Sequence, residues 1–298
     1  MATGLARTLS IVEVFPERAI RYSADDQRPI RRSVQKYYRR IESRIGYRWI
    51  LGNNRHCGLY KKGAIWPFPI RKAQKAMERK LFLRLKLPPG AKVLDVGAGS
   101  GCVAINMADM GLKVSAIELV PEHVKEMNRN IRRCDHVDDI HVQEGNFHNL
   151  AAFGNAGFDG IYAMESFVHA ENPIQAIREF RRVLKPGGVL VLHHADFTKT
   201  NDQIREVFRL THCPGIRMRG DIEGKLKDLG FLDIDVEDLS SEVVPLWRLL
   251  AFIGYVPYQF VKILGLQDRF PNTYSAVQIY RNADKFRYVS IRAVRPST

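Results

Sequence analysis

The run Lys92-Val93-Leu94-Asp95-Val96-Gly97-Ala98-Gly99-Ser100-Gly101 constrains this chain more than any other. A short apolar stretch ends in an acid, three glycines follow at alternate positions, and the apolar, alanine-rich segment from Cys102 to Met110 reads as a helix. Strand, tight glycine turn and helix form the unit that cradles a nucleotide in an open α/β sheet. Its glycines admit a ligand that a Cβ would push away. The spacing excludes two common forms of that unit. A dinucleotide fingerprint, G-x-G-x-x-G, needs glycine where Cys102 stands, and a phosphate loop needs a lysine that the turn lacks. A glycine-rich structural turn is the plain alternative. Against it stands the strand-like run Lys113 to Glu118, which ends in a carboxylate 17 residues after Gly101. An acid at that tip can accept both ribose hydroxyls of a nucleoside.

At 298 residues and 45% hydrophobic content the chain can bury a full core, as one large domain or one domain with an appendage. The net charge of +14 is unevenly placed. Residues 1–90 hold 21 Lys/Arg against 6 Asp/Glu, whereas residues 91–298 hold 25 against 26. Such a basic third suits nucleic acid, anionic lipid or an acidic substrate, and it is equally what a solvated face of lid helices gives. Four scattered cysteines (Cys57, Cys102, Cys134 and Cys213) without a CxxC pair indicate neither a zinc site nor a disulfide framework. A reduced, cytoplasmic setting fits. The first 22 residues lack the apolar core of a secretory signal.

From Pro29 onward, Ile30, Val34, Tyr38, Ile41 and Ile45 recur at helical steps among six arginines and lysines. This is a basic amphipathic helix, suited to capping its own domain's cleft or to lying on a membrane. A turn-rich segment with Trp49, His56 and Tyr60 follows, then a second basic helix from Ile70 to Leu85. Strands are expected at 92–97, 113–118, 139–144, 158–164, 189–195 and 231–237, with helices at 102–110, 122–133, 173–184, 202–210 and 219–229. That alternation predicts a parallel sheet covered on both faces, with ligands at the carboxyl ends of its strands. Residues 241–275, rich in aromatics and carrying Pro245 and Pro257, read as an insertion over the substrate. They never reach the ~18 uninterrupted apolar residues of a membrane span. Phe286 to Val294 reads as a last strand, antiparallel at the sheet edge.

Asp95-x-Gly97-x-Gly99-x-Gly101 resembles the first motif of class I S-adenosylmethionine (SAM) methyltransferases. The fold so implied is a Rossmann-like, doubly wound seven-stranded α/β sheet, with a helical N-terminal cap (1–90), a SAM-binding core (91–240) and a C-terminal substrate-covering part (241–298). The run Tyr162-Ala163-Met164-Glu165-Ser166-Phe167-Val168-His169-Ala170 is similar to the Tyr-Ala-x-Glu-x-x-x-His-Ala run of sterol C-methyltransferases. Arg182 to Gly188, the Glu237-Asp238-Leu239 segment and the upstream Tyr37-Tyr38, Trp49 and His56-x-Gly58 pattern also resemble that group, and tocopherol-type methyltransferases share the last. Base-modifying amino-methyltransferases carry Asn/Asp-Pro-Pro-Tyr/Phe after the fourth strand, and this chain does not.

The resemblance implies a methyltransferase acting on an apolar small molecule of isoprenoid, polyketide or alkaloid type, with carbon the expected acceptor. Asp95, Gly97, Gly99, Gly101, Glu118, Asn146, Phe147 and Met164 would hold SAM, Asn146 standing where the family often has an adenine-binding acid. Glu165, His169 and His56 are the candidate catalytic residues, because an alkene carbon attacking a methyl group becomes cationic and needs a carboxylate or aromatic faces nearby. Tyr38, Trp49, Tyr60, His194, Trp247, Tyr255 and Tyr258 are the candidate pocket residues, and no metal is expected. Each has a plainer reading: packed histidines, a capping glutamate, core aromatics. Two other functions stay open: a SAM-retaining cyclisation or isomerisation, and RNA binding through residues 1–90. No nucleic-acid partner is expected; peripheral membrane contact through the basic third and homo-oligomerisation are left open.

Overall fold

The computed structural model describes residues 51–52, 54–215 and 217–297. The amphipathic segment 29–45, with Tyr38, and also Trp49 lie outside the described residues. Helix α1 (Ile70–Leu85) leads into β1 (Lys92–Val96), α2 (Cys102–Asp109), β2 (Lys113–Glu118), α3 (Pro121–Ile131), β3 (Ile140–Glu144) and β4 (Phe158–Met164). Helix α4 (Pro173–Val183), β5 (Leu184–Phe197), α5 (Asp202–Leu210), α6 (Asp221–Asp228) and β6 (Leu232–Asp238) follow. Helices α7 (Ser240–Ile263) and α8 (Pro271–Arg281) then precede β7 (Phe286–Val294).

One seven-stranded sheet runs in the order β3-β2-β1-β4-β5-β7-β6. Strands β1 to β5 pair in parallel, and β7 is antiparallel to both β5 and β6. The strand order reverses between β1 and β4, so the crevice at their carboxyl ends is where such a sheet takes a ligand. Central strands buried on both faces need near-continuous apolar runs. In β1 everything after Lys92 is buried, and in β4 everything except Asp159. Apolar side chains from α1 (Met77, Leu81) and α2 (Val103, Met107) pack on one face, and those of α4 (Ile177, Phe180) on the other. Asn172 and Asn201 cap α4 and α5, each accepting a backbone N–H through its side chain.

One expectation is corrected. The last strand is not at the sheet edge: β7 lies between β5 and β6, and β6 is the edge. The physical sign is in the side chains, since β6 carries Asp233, Asp235, Glu237 and Asp238 on a largely unburied strand. Charges on an edge strand discourage pairing with another chain. Most of the aromatic stretch after residue 240, to which the sequence assigned no secondary structure, is the 24-residue helix α7, which runs through Pro245 and Pro257 and packs against α8.

Candidate active site

Two adjoining cavities open at the carboxyl ends of the strands. The first, about 100 Å³, is lined by the glycine turn, the tips of β1 and β2, and the segment after β4. Gly97 adopts φ +81, and a Cβ there would sit 2.4 Å from Ser166 Cβ, so only glycine lets the turn meet the segment after β4. Gly101 (φ +81) plays another part: it lies outside the cavity lining, and a Cβ on it would strike Met127 Cγ at 2.6 Å. Gly99 (φ +57) lines the cavity, and a Cβ on it would meet Arg55 Cδ in ordinary van der Waals contact at 3.6 Å.

Glu118 ends β2 buried. Its Oε2 accepts the Gly99 N–H at 2.8 Å and its Oε1 the Val120 N–H at 2.9 Å, which ties the glycine turn to the second strand. Burial pulls its carboxyl up, but His123, the Val120 N–H and Arg55 outweigh burial and hold it below the ordinary carboxylate value. Burial, reinforced by the charge of Glu118 and opposed by the Tyr162 hydroxyl, pushes Asp95 up to about 8. Asn146, Phe147 and Met164 also line this cavity. The Asn146 Oδ1 already accepts from the His148 backbone N–H at 3.0 Å and faces His148 Nδ1 at 2.8 Å. His148 Nε2 accepts the Asn172 N–H at 3.4 Å, which puts the ring proton on Nδ1.

The segment 54–58 forms one wall and is held by α1. Asn54 Nδ2 donates to Glu78 at 3.0 Å, and His56 Nε2 stands 3.1 Å from the same buried carboxylate. Burial opposes charge on His56, yet Glu78 and Glu165 keep its pKa above the ordinary histidine value. With Nδ1 on the Cys57 carbonyl at 2.9 Å, both nitrogens are taken. His56 therefore offers no free nitrogen to a substrate.

Glu165 sits where the cavities meet and lines both, as do His169 and Arg55. It holds φ 58, a left-handed conformation costing a non-glycine residue ~1–2 kcal/mol. Its Oε1 accepts the Cys57 N–H at 2.6 Å and the Tyr288 hydroxyl at 2.7 Å, while its own N–H donates to the His193 carbonyl. His169 ends a 3₁₀ turn (Phe167–His169) with its Nδ1 3.9 Å from Cys213 Sγ, and burial lowers its pKa.

The second cavity, about 250 Å³, has mostly apolar walls, including Val168, Phe197, Ile204, Val207 and Trp247. Trp247 Nε1 donates to Cys57 Sγ at 3.3 Å, joining α7 to the 54–58 segment. His194 lines this cavity, but both its ring nitrogens are buried without a hydrogen-bond partner, and burial lowers it to about 4. Three expected pocket residues lie elsewhere. Tyr60 packs with Ala73 and Leu246. Tyr258 stands behind the wall, its hydroxyl accepting from Gln278 Nε2 at 2.7 Å. Tyr255 is half exposed on the outer side, with Arg281 5.7 Å from its ring centre. The helical period of α7 turns Trp247 inward and Tyr255 outward, which a count of aromatics does not reveal. Arg55, Cys57 and Tyr288 were missed as wall residues; Tyr288 arrives through the β5–β7 pairing and carries no local signal. Among the described residues no cluster of three or more His, Cys, Asp or Glu is arranged to hold a metal ion.

A mostly parallel sheet with this strand order, a glycine turn after β1 and an acid ending β2 define an enzyme fold of the class I SAM-dependent methyltransferases. The residues fit SAM: Gly97 and Gly99 line the cavity without side chains, and the Glu118 carboxylate, held below its ordinary pKa, lines it beside them. A family model described as "Methyltransferase domain" matches residues 94–192. The chain is 32% identical over 278 residues to the S-adenosyl-L-methionine-dependent Diels-Alderase iccD of Talaromyces variabilis, covering 89% of this chain and 95% of that protein. In structure it is similar to the [4+2]-cyclase SpnF (TM-score 0.66, 23% identity, 82% of this chain and 88% of that one). It is also similar to geranyl diphosphate C-methyltransferase from Streptomyces coelicolor A3(2) (TM-score 0.70, 18% identity, 90% and 98%). The chain belongs to the class I SAM-dependent methyltransferase family, and SAM is its cofactor.

Proposed function

We propose that this enzyme acts on an apolar small molecule of isoprenoid, polyketide or alkaloid type held in the second cavity, and that it methylates carbon. The observation that carries this reading is the meeting of the two cavities at Glu165 and His169. Bound SAM supplies an electrophilic methyl group on a sulfonium. The chain's own part is positioning and exclusion of water, with the apolar walls turning the substrate toward the glycine-turn cavity. Glu165, fixed by Cys57 and Tyr288, offsets positive charge on the substrate carbon or takes its proton. His169, its pKa lowered by burial, orients the substrate beside it. Residues 1–90 serve as the cap; the support is that segment 54–58, anchored on α1, lies over Gly99. Peripheral membrane contact through that basic third is the alternative to the cap. The test is a substrate library incubated with protein and SAM, reading S-adenosylhomocysteine and methylated product together.

One observation favours a second reading. A relative similar over 95% of its length, iccD, is named a Diels-Alderase, so the second cavity would fold a polyene for ring closure with SAM retained. Product formed without S-adenosylhomocysteine establishes that reading; equal amounts of both establish methyl transfer.

A further inference from the structure

We propose that the loop before α1 and the outer face of α7 form one docking surface for an anionic lipid bilayer. Large apolar side chains stand in solvent on both elements. In the loop, Ile65, Trp66 and Phe68 are exposed, Trp66 at 76%. On α7, Phe252, Val256 and Ile263 recur at steps of four and seven and form one exposed stripe, Phe252 at 81% and Ile263 at 79%. Single exposed apolar residues are ordinary, but a contiguous apolar surface on a globular protein marks an interaction site.

The two elements are adjacent. The Tyr60 N–H donates to the Glu242 carbonyl at 3.0 Å, and Arg248 Nη2 donates to the Ala64 carbonyl at 3.2 Å. Arg248 is one turn before Phe252, so the stripe begins beside the loop. Buried Leu246 and the partly buried Leu250, Ile70 and Ala64 pack beneath and hold both in place.

Charge selects the occupant. Residues 61–75 contain Lys61, Lys62, Arg71, Lys72 and Lys75, all exposed, and no acid. Between Val243 and Gln267 there is again no Asp or Glu, and Lys262 stands exposed beside the stripe. Two of these cations are answered by acids, Lys62 by Glu242 at 3.9 Å and Arg71 by Glu78 at 3.3 Å, and the remaining excess of cations around aromatic and aliphatic side chains suits a surface with apolar interior and anionic headgroups. Among the described residues no helix is long and apolar enough to cross a membrane, so this surface lies on the bilayer.

The test uses the full chain, SAM-loaded, in co-sedimentation with phosphatidylcholine vesicles with and without phosphatidylserine. Its readout does not depend on which reaction the site performs. Wild type is expected to bind the anionic vesicles and to release them as salt is raised. Trp66→Ser/Phe68→Ser/Phe252→Ser and Lys61→Glu/Lys72→Glu/Lys75→Glu are each expected to weaken that binding about tenfold or more while SAM binding stays normal. Both alter only exposed side chains, and their melting curves check folding. Vesicle binding unchanged in both variants, or none by wild type, overturns the proposal. A wild-type dimer split by the Ser variant also overturns it, because the surface is then a subunit interface.

Discussion

The Tyr288 hydroxyl on β7 donates to Glu165 Oε1 at 2.7 Å, joining residues 123 positions apart. The Cys57 N–H reaches the same oxygen from the other side, so three distant segments converge on one carboxylate. Glu165 is thereby held in a left-handed backbone conformation at the junction of the two cavities.

Glu165→Gln keeps the size and removes the charge. Turnover on the true substrate is expected to fall about 10²-fold, the scale of one electrostatic or general-base group, with SAM affinity spared. Tyr288→Phe removes one hydrogen bond to a charged acceptor, worth ~1.5–3 kcal/mol, and is expected to cost about ten- to a hundredfold. The loss should appear in kcat more than in KM. Wild-type turnover in Glu165→Gln would remove this carboxylate from the mechanism.

Gly99→Leu places a side chain in the open part of the first cavity, where only Arg55 is near. Glu118→Ala removes the charged acceptor at the tip of β2 and strands the Gly99 and Val120 N–H groups, costing ~1–3 kcal/mol of stability for a buried donor. Both folded variants are expected to lose at least about tenfold in SAM affinity by calorimetry. Near-native binding in both would contradict the placement of the cofactor.

Asp95 gives the SAM-free protein a pH signature. Its pKa is about 8 folded against 3.8 as the ordinary value, so the folded state holds a proton that the unfolded chain gives up. Its contribution is fully present below pH 4 and is lost as pH rises toward 8, at up to ~1.4 kcal/mol per pH unit. Asp95→Asn should flatten that part of the melting-temperature profile. A profile unchanged by the substitution would show Asp95 charged.

Val168 is partly buried and lines only the second cavity. Val168→Trp fills part of its 250 Å³ without touching the SAM cradle. Product formation is expected to be lost while SAM still binds normally; unchanged turnover would place the substrate elsewhere.

Deleting residues 1–45 tests the cap. The shortened protein should still bind SAM, because among the described residues the first cavity is lined only by ones between 54 and 169, and should lose turnover. Normal turnover with lost binding to anionic vesicles would make that segment a membrane element instead.

What the sequence determined by itself was whatever depends on neighbours along the chain. The apolar runs and glycine spacing of 92–101 place β1 and its turn, and the acid at 118 ends β2. The β/α alternation implied the parallel sheet, and Glu165 beside His169 marked the segment after β4. Tertiary structure alone decided what depends on pairing at a distance. It put β7 inside the sheet rather than at its edge, because two strands claim it through backbone hydrogen bonds that no local pattern encodes. It turned Trp247 to the cavity and Tyr255 to solvent by the rotation of α7, and sent Tyr60 to a separate cluster. It joined both nitrogens of His56 to fixed partners, making a candidate base part of a buried hydrogen-bonded pair with Glu78. Tyr288 reached Glu165 for the same reason: one strand register sets a hydroxyl beside a carboxylate that is 123 residues away in the chain.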